Sequence, residues 1–154
     1  MPKLPAHRVR RQPPFFHPVP LRARADGWTL ARQCGFLAQL YLTGSVTAAA
    51  KAVGITRMSA YRLRARAGAE SFAHAWDRVL TPPGSGRAKA PATDWRKVTT
   101  DTIIGRLETG LVRPVLHRGQ MAGIRRKPDN SALFRLLRRA DALSAAAARK
   151  GFGL

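Results

Sequence analysis

The residues of this chain best suited to do chemistry are cations set close together. Arg57, Met58, Ser59, Tyr61, Arg62, Arg64 and Arg66 fall within ten positions, Lys51 stands just upstream, and no Asp or Glu occurs between Asp26 and Glu70. A guanidinium offers a planar fork of N–H donors that matches a phosphate or the acceptor edge of guanine. An ordinary solvated helical face mixes charges of both signs, so a one-sign stretch implies a partner that supplies the other. The whole chain repeats the bias: 28 Lys and Arg against 8 Asp and Glu in 154 residues, a formal charge of +20. Such a balance points to a polyanion, nucleic acid ahead of an anionic membrane surface. Arg supplies 22 of the 28 cations, a preference that GC-rich coding also produces, so the missing acids carry more weight than the arginine excess.

Other chemistries find no support in residue type or spacing. His7, His17, His74 and His117 are far apart, with no HExxH or CxxC pattern, so neither a metal site nor a cofactor is expected. The eight carboxylates are scattered singly, without the pairing that two-metal hydrolysis or glycoside cleavage requires. Gly84-Ser85-Gly86-Arg87-Ala88-Lys89 lacks the spacing and trailing Lys-Ser/Thr of a phosphate-binding loop. Cys34, the lone cysteine, sits among apolar helical positions and reads as core filler rather than a reactive thiol. The chain is therefore not expected to be an enzyme. With no secretion signal and no apolar run long enough for a bilayer, it is expected in the cytoplasm, on the nucleoid, and not at a membrane.

The elements that must position the cations follow from periodicity and capping signals. Residues 1–26 are Pro-rich, lack helical period and carry Arg8, Arg10 and Arg11, which reads as a flexible basic arm: either a groove-reaching segment or a solvated tail. Residues 27–80 hold four helices. The first spans 29–42 with Thr29 as N-cap; the second spans 47–53 between Ser45 and Gly54; the third spans 57–67, capped by Thr56 and stopped by Gly68; the fourth spans 70–80 with Phe72, Ala75, Trp76, Val79 and Leu80 on one side. In the third helix Ala60, Leu63 and Ala67 share one side, so Met58, Tyr61, Arg62 and Ala65 point away. Residues 81–92 read as a linker.

Residues 93–145 are expected to form a small helix, β-hairpin, helix module, followed by a tail over 146–154. A helix from Thr93 or Asp94 to Glu108 comes first, then a hairpin over 113–126 turning near Gly119, then a helix from Asp129 or Asn130 to about Ser144. Arg118, Arg125, Arg126 and Lys127, with Arg113 and His117, make the hairpin a candidate second backbone contact like a wing, an idle basic surface, or an oligomerisation edge. The overall expectation is a mainly α fold.

The stretch Gly44-Ser45-Val46-Thr47-Ala48-Ala49-Ala50-Lys51-Ala52-Val53-Gly54-Ile55-Thr56-Arg57-Met58-Ser59-Ala60-Tyr61-Arg62-Leu63 resembles the helix-turn-helix of homeodomain-like bacterial proteins, including resolvase and invertase DNA-binding domains and phage small terminase subunits. The matching features are Ala50, Gly54, Ile55 and the run Ser59-Ala60-Tyr61-Arg62, and the likeness covers roughly residues 28–80. It implies a four-helix domain that binds double-stranded DNA, with Arg62 at a base edge or nearby phosphate, Met58 and Ser59 close to bases, and the Tyr61 hydroxyl on a phosphate. Arg57, Arg64, Arg66 and Lys51 join this set as phosphate contacts or solvent-facing charges. A transcriptional regulator is the first expectation. A phage-derived packaging recognition subunit and a nucleoid-type architectural protein are the alternatives, and a homo-oligomer or a protein partner fits any of the three.

Overall fold

A computed structural model describes residues 5–21, 27–86 and 93–151. Its described regular structure is mainly helical, with one two-stranded antiparallel hairpin. Contacts divide the chain into two units, Met1–Ala92 with Leu111–Arg126, and Thr93–Gly110 with Lys127–Leu154.

The first unit is built around α2 (Leu30–Thr43), which follows α1 (Ala6–Val9). Thr29 caps α2 by accepting the Arg32 N–H, and Gly44 ends it at φ +68. Glycine suits that position because the backbone is left-handed, and because a Cβ would fall 2.5 Å from an Arg10 guanidinium nitrogen and displace it. That guanidinium donates to the carbonyls of Tyr41 and Leu42, acceptors that a helix end leaves without partners. Next come α3 (Val46–Ala52), capped by Ser45, and α4 (Arg57–Arg64), capped by Thr56, joined through Gly54 at φ +75. Ala49, Ala50, Ala60 and Leu63 are buried. Then α5 (Glu70–Leu80) turns Phe72, Ala75, Trp76 and Val79 inward.

Helix α4 stops at Arg64, short of the end at 67 that its sequence implies. Arg66 and Ala69 donate to the carbonyls of Leu63 and Arg66 in tight turns, and Gly68 at φ +87 redirects the chain. Ala67 is exposed as a result, and Ala69 takes a buried place instead.

The expectation of a free arm over 1–26 is overturned for its described part, residues 5–21; positions 1–4 and 22–26 lie outside the described residues. Phe16 is fully buried, packs edge-on against Phe72, and exchanges both backbone hydrogen bonds with Val112, at 2.9 and 3.0 Å. Gln33, 2% exposed, accepts the Val19 N–H at 2.8 Å and donates to the carbonyls of Val19 and Trp28. Beyond α1 the prolines keep this strap from helix, and its apolar residues find more surface to cover than a solvated tail would.

The hairpin, β1 (Leu111–His117) and β2 (Gln120–Lys127), turns at Arg118 and Gly119, both at positive φ as a two-residue turn requires. Val112 is buried and paired with Phe16, and β1 packs on α2, so the hairpin belongs to the first unit rather than to a module spanning 93–145. Of the expected linker 81–92, positions 87–92 lie outside the described residues.

In the second unit the expected single helix from 93 to 108 is two pieces: a 3-10 turn over Trp95–Lys97 capped by Asp94, then α6 (Thr100–Thr109) capped by Thr99. Extended backbone at Val98 and Thr99 separates them. The Asp129 carboxylate accepts the Ala132 N–H and starts α7 (Asn130–Gly151), which outruns its expected end near Ser144 because the alanines beyond favour helix. Arg139 donates to the carbonyls of Trp95 and Val98 and to the Thr100 hydroxyl, tying α7 to that turn.

Two outcomes test this packing. Gln33→Leu strips partners from both backbone groups of Val19 and should cost about 2–4 kcal/mol in chemical denaturation. Burial pushes the Cys34 thiol up to about 12 from an ordinary 9.0, while Arg126 opposes the rise. Above pH 9 the unfolded thiol ionises and the folded one does not, so stability should fall from there towards pH 12, and Cys34→Ala should flatten that part of the profile.

Candidate nucleic-acid interface

The outward side of α4 is held by contacts beneath it. Tyr61 lays its ring 5.3 Å from that of Trp76, and Trp76 in turn lies 4.9 Å from Phe36 in the core. Ser59 accepts the Trp28 indole N–H at 3.0 Å, so its hydroxyl is a brace. Arg64 pairs with Asp77 through two hydrogen bonds, at 3.0 and 3.3 Å, and covers the Trp76 ring at 4.8 Å. These three side chains fix α4 on α5 and on the segment before α2.

The remaining residues of the set are exposed, and Tyr61, although its ring rests on Trp76, stays partly exposed with them. Met58 is 62% exposed and Tyr61 41% exposed, with the Arg57 guanidinium 5.5 Å from the Tyr61 ring centre. Arg62, Arg66 and Lys51 are exposed, and among the described residues their side chains make no hydrogen bond or ion pair. The structure therefore splits the expected set: Arg57, Met58, Tyr61, Arg62, Arg66 and Lys51 are open to a partner, whereas Ser59 and Arg64 are engaged within the fold.

The secondary set is divided in the same way. Arg8 is exposed on α1, but Arg10 is engaged at the end of α2 and Arg11 donates to the Gly86 carbonyl. Arg118 occupies the hairpin tip, Arg125 and Arg126 are exposed on β2, and Lys127 is engaged. Arg113 covers the Phe15 ring and donates to Gln12. The hairpin's main neighbour is α2 rather than α4. Sequence reasoning missed Trp28 and Trp76 as the supports of this surface; their only local signal was an aromatic beside a helix cap and one on an amphipathic face.

Among the described residues no three His, Cys, Asp or Glu side chains gather as a metal site would require. No helix there is long and apolar enough to cross a membrane. Family models, curated proteins and solved structures contain no match to this chain.

The split among the arginines is measurable without any ligand. Arg64→Ala should destabilise the fold by about 1 kcal/mol, through the lost ion pair and ring contact. Arg62→Ala should stay within about 0.5 kcal/mol of the parent in the same denaturation experiment.

Proposed function

We propose that the first unit is a homeodomain-like helix-turn-helix domain that binds double-stranded DNA with sequence preference, and that the protein acts as a transcriptional regulator on the nucleoid. In this reading α4 enters the major groove, Arg62 and Met58 meet base edges, the Tyr61 hydroxyl meets a phosphate, and Arg57, Arg66 and Lys51 contact the backbone. One observation carries it: Arg62 stands outward on a capped helix, rooted in an aromatic core, with no partner of its own among the described residues. The absence of acids from 27 to 69 supports it, since nothing on that stretch repels a phosphate.

Selection from a random duplex library, followed by affinity measurement at fixed salt, tests the reading. Arg62→Ala should cost about 1–3 kcal/mol on the selected duplex and less on random duplex, whereas Arg66→Ala should weaken both alike. A library that yields no preferred sequence would leave only charge-driven coating of DNA and end the proposal.

A further inference from the structure

Two surface features meet on α7 in the second unit. Leu133, Phe134 and Leu137 are 40, 61 and 51% exposed. Leu133 and Leu137, four residues apart, form one stripe along the helix, and Phe134 borders it. Four residues beyond Phe134 comes Arg138, on the rim of a shallow hollow of about 290 Å³ lined also by Trp95, Arg96, Arg135 and Arg139. Arg135 lies over the Trp95 ring at 5.4 Å, and Arg139 is anchored on backbone carbonyls. Among the described residues the side chains of Arg96 and Arg138 have no hydrogen bond or ion pair. Apolar surface and unneutralised guanidinium charge thus lie side by side.

We propose that this face of α7 docks an acidic amphipathic helix of a partner protein, whose apolar residues cover Leu133, Phe134 and Leu137 and whose carboxylates enter the arginine-lined hollow. Charge complementarity selects that occupant. A second copy would bring like charge to like, since α7 carries Asp141 as its sole acid against Arg135, Arg138, Arg139, Arg149 and Lys150. A nucleic acid would satisfy the guanidiniums but leave the leucine and phenylalanine surface uncovered. A helix presents apolar residues at the i, i+3, i+4 spacing that such a stripe accepts, and carboxylates pair with arginine through two hydrogen bonds.

The test titrates the full chain into a labelled helical peptide that has a leucine stripe flanked by glutamates, read by fluorescence anisotropy. Saturable binding is expected, weakened about tenfold by Phe134→Ser and by Arg138→Glu. Arg62→Glu, which makes the same change of charge in the first unit, should leave it unchanged, so failure here and failure of the DNA reading remain distinct. Absence of binding, equal binding of a peptide with glutamine for glutamate, or an equal loss in Arg62→Glu would overturn the proposal. So would Phe134→Ser or Arg138→Glu weakening duplex DNA in place of the peptide, or light scattering that shows a dimer sensitive to Phe134→Ser.

Discussion

The contact between Trp76 and Phe36 is the constraint on which the surface of the first unit depends. Their rings lie 4.9 Å apart, and Trp76 also receives the Tyr61 ring and the Arg64 guanidinium, the latter at 4.8 Å. A large aromatic on α5 thereby sets the rotation of α4, while Trp28 holds the start of that helix through Ser59. Arginine side chains are flexible, so the direction in which Arg62 projects is decided by the backbone beneath it, and that backbone is fixed by rings packed against one another.

A chain with so few acids has to place its arginines by other means. Arg10, Arg11 and Arg139 donate to backbone carbonyls, and Arg57, Arg64, Arg106, Arg113 and Arg135 lie over aromatic rings. Carbonyl oxygens and ring faces carry partial negative charge and take the place that carboxylates hold in more balanced proteins. Among the described residues, cations that find neither, Lys51, Arg62, Arg66, Arg96 and Arg138 among them, are left to the solvent or to a partner.

The local features were legible in the residues themselves. Thr29, Ser45, Thr56 and Asp129 cap the helices that follow them, and Gly44, Gly54 and Gly119 take the left-handed backbone their turns need. Each depends on neighbours within four positions, so a short window of sequence holds the information. The strap over 5–21 was not legible as core because its prolines hide the apolar content of Phe15, Phe16, Val19 and Leu21 from any periodic pattern.

Sequence alone determined α2, α3, α5 and the capped starts of α4 and α7, the acid-free basic stretch and the burial of Cys34. Tertiary structure alone decided that Phe16 pairs with Val112, that Gln33 clasps Val19, and that Ser59 and Arg64 serve the fold while Arg62 does not. The reason is physical: these partners are brought together by chain folding over long separations, and no local rule of spacing or propensity encodes which distant group a side chain will meet.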